Sequence, residues 1–129
     1  MNRIVKIEKC AALLLAIFVL GCSSHQKAVT IEPGQKTVQL KASDFKFEPN
    51  ILKAQKGEVL TITVENVAGI THNLTVKNPQ GNVLANVDIP PNGTARAKVT
   101  LAEAGTYPFY CDKTMHSTFG MKGKIEVSP

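Results

Sequence analysis

Cys111, His116 and Met121 fall within one short stretch, T-Y-P-F-Y-C-D-K-T-M-H-S-T-F-G-M-K-G-K-I-E-V, which runs from Thr106 to Val127. They offer a thiolate, an imidazole and a thioether on a single loop between two apolar, strand-like runs. Together they make a soft metal site that lacks one ligand. His72 supplies it, because T-H-N-L-T-V places that histidine at the mouth of another strand. It shares an alternating face with Leu74 and Val76, and such a face turns toward the core.

Ligand type narrows the metal. A thiolate and two imidazoles in a trigonal arrangement, with a long thioether contact on the axis, suit copper cycling between Cu(I) and Cu(II), whereas carboxylates and carbonyls suit harder ions. Zinc could occupy the same ligands, and spacing alone does not exclude it. Met121 favours copper, since structural zinc sites use Cys, His and carboxylates rather than a thioether. Met115, on the same loop, reads as a surface or packing residue.

The elements that must hold these residues are strands. Val38 and Leu40 alternate with Thr37, Gln39 and Lys41; Leu60, Ile62 and Val64 alternate with Thr61, Thr63 and Glu65; Ala95, Ala97, Val99 and Leu101 alternate with Thr94, Arg96, Lys98 and Thr100. This is the pattern of half-buried strands. Turn signals separate the runs at Pro49-Asn50, Lys56-Gly57, Asn78-Pro79-Gln80-Gly81, Pro90-Pro91-Asn92-Gly93 and Ala104-Gly105. Seven or eight short strands over about ninety residues predict an all-β sandwich or barrel. Tyr107, Phe109 and Cys111 share one face of their strand, as Gly123, Ile125 and Val127 do of the last. If the His72 and Cys111 strands run antiparallel, the start of one and the end of the other meet at one edge of the sandwich, and the four ligands converge there.

The pattern Tyr110-Cys111, His116 and Gly120-Met121, followed by G-K-I-E-V and preceded by His72-Asn73, resembles the cupredoxin family, the small blue copper proteins of plastocyanin and azurin type. D-F-K-F-E-P at 44–49 and K-G-E-V-L-T-I-T-V-E-N at 56–66 are similar to the opening strands of that domain. The resemblance covers residue 37 to the C-terminus and implies a Greek-key topology. It also implies His72, Cys111 and His116 as equatorial ligands and Met121 as the axial one. Thr71 then stands where some members bring a backbone carbonyl near the metal, and Asn73 matches a residue that ties the two ligand loops together. This chain departs from the family pattern at one place: many members carry Pro-Gly before the loop histidine, where it has Thr114-Met115.

The 129 residues, 43% hydrophobic and 19% charged, amount to one domain with an extension. Arg3, Lys6 and Lys9 precede an apolar run from Cys10 to Leu20 that is too short for a stable membrane span, so residues 1–21 read as a signal peptide. Val19-Leu20-Gly21-Cys22 resembles a bacterial lipobox, which implies a lipidated Cys22 and an extracytoplasmic protein anchored to a bacterial membrane. Cys10 leaves with the signal and Cys22 takes the lipid, so the mature domain keeps only Cys111 and no disulfide can form within it. A lone thiol in an oxidising compartment calls for ligation or burial.

Residues 22–36 are polar, carry Pro33-Gly34 and read as a flexible tether with a reach of about 20 Å; His25 within it reads as a solvated residue. The domain proper is then expected over 37–129. Removing Arg3, Lys6, Lys9 and Glu8 leaves 12 basic and 9 acidic residues, a charge of +3, too mild and scattered for nucleic acid binding.

Three functions fit a copper site. One-electron transfer needs a metal closed to substrate and a geometry that changes little with oxidation state. Catalysis needs an open coordination position or a second metal, and beyond His25 the mature chain has only His72 and His116. Copper delivery or homeostasis would favour an exposed Met- or His-rich cluster, and the sequence has none. The expectation is therefore a monomeric, membrane-tethered one-electron carrier and not an enzyme. By family analogy its partners are cytochromes or membrane oxidoreductases, and its electron passes through the ring edge of His116.

Overall fold

The structure, a computed structural model, describes residues 27–129. The signal peptide expected over 1–21, the lipidated Cys22 and His25 lie outside the described residues. Ten strands follow in order: β1 (Val29–Thr30), β2 (Thr37–Ser43), β3 (Lys46–Glu48), β4 (Ile51–Gln55), β5 (Val59–Asn66), β6 (His72–Lys77), β7 (Val83–Ile89), β8 (Thr94–Thr100), β9 (Gly105–Tyr110) and β10 (Lys122–Ser128). They form a six-stranded sheet ordered β1-β4-β10-β9-β6-β7 and a four-stranded sheet ordered β3-β2-β5-β8. The pairings β1/β4, β10/β4 and β2/β5 are parallel and the rest antiparallel, so both sheets are mixed. The fold is an all-β sandwich.

Alternation decides which side chains lie between the sheets. Val38, Leu40 and Ala42 of β2, Leu60, Ile62 and Val64 of β5, and Ala97 and Val99 of β8 form one wall. Leu52, Ala54, Leu74, Val76, Ile89, Tyr107, Phe109, Ile125 and Val127 form the other. Each large aliphatic withdrawn from water this way contributes about 1.5–3 kcal/mol. Phe47 and Phe109 meet edge to face at 5.7 Å near the middle of this core. The buried Tyr107 keeps its hydroxyl satisfied: it donates to the Glu103 carbonyl and accepts from the Glu103 N–H, both at 3.0 Å. Gly123 of β10 is required by space, because a Cβ there would overlap the Phe109 ring and the Asn50 carbonyl.

Two sequence expectations are corrected. The strands number ten among the described residues rather than seven or eight, since β1 and β3 have two and three residues and are too short to show alternation. Residues 29–31 also pack on the domain expected over 37–129. Val29 and Thr30 pair with Leu52 and Lys53, Ile31 N–H donates to the Lys53 carbonyl at 2.8 Å, and the Ile31 side chain is buried in the core. Within the segment expected as a tether, the buried Ile31 side chain and the β1 pairing join residues 29–31 to the sandwich.

The register puts the expected edge together. β6 runs antiparallel to β9, with Thr75 opposite Tyr110 and Val76 opposite Phe109. His72 at the start of β6 and Cys111 just after β9 therefore emerge at the same end of the sandwich.

Candidate metal centre

His72 is the first residue of β6, held between β7 and β9, and is fully buried. Cys111, equally buried, directly follows β9 and is fixed by its N–H donating to the Met121 carbonyl at 3.0 Å. Met121 in turn donates its N–H to the His116 carbonyl at 3.0 Å, and His116 donates to Lys113 at 3.0 Å. The loop from 112 to 121 is thus folded on its own backbone, with Met121 buried at its end. Met115 in that loop is 56% exposed. It takes φ 63, the left-handed region that glycine enters freely and other residues at about 1–2 kcal/mol. Met115, which stands where the resembled family pattern has glycine, thus takes a conformation that glycine adopts freely.

These elements bring three donor atoms to one point. His72 Nδ1, Cys111 Sγ and His116 Nδ1 can all lie within 4.8 Å of one another. Cys111 Sγ is 3.3 Å from His116 Nδ1 and 4.0 Å from His72 Nδ1, and the two Nδ1 atoms are 3.1 Å apart. Burial above all, and then the neighbouring His116, holds the His72 pKa below the ordinary imidazole value, with Asp44 opposing. The result is a neutral ring, the form that binds metal. One buried thiol sulfur, two imidazole nitrogens facing it and a buried thioether residue whose backbone bonds to both loop ligands fit a single copper ion.

Asn73 sits behind the thiolate. Its backbone N–H points at Cys111 Sγ at 3.4 Å, its Oδ1 accepts from Asp112 N–H at 2.7 Å, and its Nδ2 donates to the Asp112 carboxylate at 2.6 Å. That carboxylate also accepts from Thr75 Oγ1 at 3.1 Å and from Asn86 Nδ2 at 3.0 Å. Asn73 and Thr75 are nearly inaccessible although they point away from the sandwich interior, because Asp112 and Asn86 cover them. Thr71 is exposed immediately outside β6.

Sequence reasoning missed Asp112, the one carboxylate in this cluster. Its signal was its parity: the residue after Cys111 must face the same way as Asn73 and Thr75. It also missed Asn66, a buried side chain that organises the segment leading into His72. Asn66 Nδ2 donates toward the carbonyls of Ile70, Ile89 and Pro90, and its Oδ1 accepts from Ala68 N–H.

The opposite side of the site is aromatic and open. His116 is half-buried, and the Phe45 ring meets it edge to face at 5.2 Å and 88°. Phe119, 60% exposed, lies 5.2 Å from Phe45. Lys113 bridges to Asp88 at 2.8 Å, and chiefly through that hydrogen bond its pKa rises above the usual lysine value.

Comparison with known proteins agrees with this geometry. The family description "Cupredoxin-like domain" matches residues 11–127. Plastocyanin from Daucus carota is 36% identical over 101 residues, covering 70% of this chain and 98% of that protein. A chloroplastic plastocyanin from Hordeum vulgare is 38% identical over 88 residues, and the chain spans about half of its length, 54%. Reduced auracyanin from Roseiflexus castenholzii superposes with a TM-score of 0.66 at 20% identity, over 73% of this chain and 98% of that one, a likeness of fold.

Proposed function

Since the chain belongs to the cupredoxin-like family, we propose that it is a type 1 copper protein that carries single electrons between redox partners outside the cytoplasm, tethered to a membrane through Cys22. The observation that carries this reading is the convergence of Cys111 Sγ with the Nδ1 atoms of His72 and His116 in a buried pocket. The plastocyanin relatives support the carrier role over an enzymatic one. The lipid tether is supported by the Gly21-Cys22 motif alone.

In this reading His72, Cys111, His116 and Met121 would hold the copper ion. When bound, copper supplies the Cu(I)/Cu(II) couple. Cys111 provides the strongly donating thiolate, and the Asn73 N–H directed at its sulfur tempers that donation. His72 lies sealed from water, so exchange with a partner passes through the half-buried ring of His116. Phe45, Met115 and Phe119 give that exit an apolar surround, and weak redox encounters need bury less than about 1,200 Å². Four protein donors leave no position for a substrate, which separates the carrier from copper enzymes.

The test is a visible and electron paramagnetic resonance spectrum of the protein with one equivalent of Cu(II), then titrated with ascorbate. An intense thiolate-to-copper band that bleaches and returns, and that Cys111→Ser abolishes, is expected. A colourless protein that holds only Cu(I) would overturn electron transfer in favour of copper delivery.

A further inference from the structure

The segment D-F-K-F-E-P at 44–49 lies far from the ligand loops in sequence, yet it reaches the site. Lys41, Ala42 and Ser43 of β2 pair with Glu48, Phe47 and Lys46 of β3, which leaves Asp44 and Phe45 as a two-residue turn. Phe45 adopts φ 58 there. Turn positions of this kind favour glycine or asparagine, and a bulky aromatic is an outlier. Core burial does not explain the choice, because Phe45 is 38% exposed.

What the strained residue touches does explain it. Its ring stands edge to face with the His116 imidazole at 5.2 Å and tilts against Phe119 at the same distance. Its carbonyl oxygen closes on Gly120, 3.8 Å from where a Cβ would stand. The turn is thus packed on the ligand loop at His116 and at Phe119 and Gly120 beyond it. Its other residue, Asp44, lies close enough to His72 for its charge to bear on that ring. Backbone strain at a point that serves a site, with no gain in burial, is a mark of function.

We infer that Phe45 is a positioning residue for His116: its ring holds the imidazole with Nδ1 toward Cys111 and closes the solvent side of the site to small exogenous ligands. The inference rests on the copper reading above. His116 is the ligand that needs such a stop, being the half-buried one and carried by a loop.

The experiment uses the full-length chain, wild type and with Phe45→Gly, Phe45→Asn or Phe45→Tyr, loaded with Cu(II) and titrated with free imidazole while the thiolate-to-copper band is followed. Glycine and asparagine both tolerate the turn's backbone, so the metal-free variants are expected to melt no lower than wild type. The imidazole concentration that halves the band is expected to fall at least about tenfold in both. Phe45→Tyr should restore the wild-type value. In the metal-free wild type, nuclear Overhauser contacts between the Phe45 ring and the His116 ring protons are expected. A merely structural role would lower melting and leave the imidazole midpoint within about twofold of wild type, and that outcome overturns the inference. A thiolate band missing from all four proteins would instead refute the copper reading, and this inference with it.

Discussion

Asp112→Ala is the substitution that separates a surface acid from a structural one. Asp112 is solvent-exposed as a residue, and an exposed carboxylate changed to alanine ordinarily alters stability by no more than about 0.5 kcal/mol. Here its oxygens receive three donors: Asn73 Nδ2 at 2.6 Å, Asn86 Nδ2 at 3.0 Å and Thr75 Oγ1 at 3.1 Å. Asn86 is exposed and water replaces its lost partner. Asn73 and Thr75 are 1% and 2% exposed, so their donors lose a charge-assisted bond with little water to take its place. At about 1–3 kcal/mol for each buried donor left unpaired, discounted for the residual Asn73 contact to Asn86 Oδ1, the expected loss is about 2–4 kcal/mol. Urea unfolding of the metal-free protein measures it as a lower midpoint at unchanged slope. A cycle with Asn73→Ala should return a coupling of about 1 kcal/mol or more. The copper-loaded variant should also show a higher reduction potential, since a negative charge beside the thiolate has gone. A loss below about 0.5 kcal/mol with no coupling would refute the claim that this carboxylate locks β6 to the cysteine strand.

Three further outcomes are expected. Ile31→Ala should cost about 2–5 kcal/mol in chemical unfolding, as for other buried isoleucines; a neutral result would return residues 22–36 to the role of a tether. The metal-free protein should lose stability as pH falls below 6.5, the ordinary histidine value. The folded pKa of His72 is depressed, so between the two values the unfolded state binds more protons; the stability is complete above 6.5 and lost on acidification toward the folded value. Urea midpoints measured across that range should fall, and His72→Leu should flatten the trend. Met121→Leu should leave copper bound and coloured but raise the reduction potential, because loss of a weak axial donor disfavours Cu(II); complete loss of copper would make Met121 a structural ligand.

The convergence of His72, Cys111 and His116 was legible because their chemistry is rare and their register simple. A cysteine two residues beyond Phe109 and a histidine two before Leu74 must share faces with them, whichever strands pair. Asp112 and Phe45 were not legible, for a different reason in each case. An acidic residue next to a ligand reads as surface until β6 is known to lie between β7 and β9, and only that order brings Asn73, Thr75, Asn86 and Asp112 together. Phe45 reads as part of an opening strand, because alternation carries no information about a turn that reaches across the end of the sandwich. The N-terminal strand escaped notice since Val29-Thr30-Ile31 is shorter than any window in which a period can be recognised.

Asp112 and Phe45 explain why the site can serve as a carrier. Rapid one-electron exchange needs donors that hold their positions in both oxidation states. Cys111 is held from the outer face of the sheet by a polar lock whose members belong to β6, β7 and the residue after β9. His116 is held from the solvent side by an aromatic contact from the β2–β3 turn, which belongs to the other sheet. The two restraints are unequal in kind. Hydrogen bonds on the cysteine side fix direction closely and bury Asn73 and Thr75, whereas ring packing on the histidine side fixes orientation while leaving an apolar surface exposed. An electron carrier needs that asymmetry: rigidity where the thiolate sets the metal's electronic character, and a covered but approachable ring where a partner must come close.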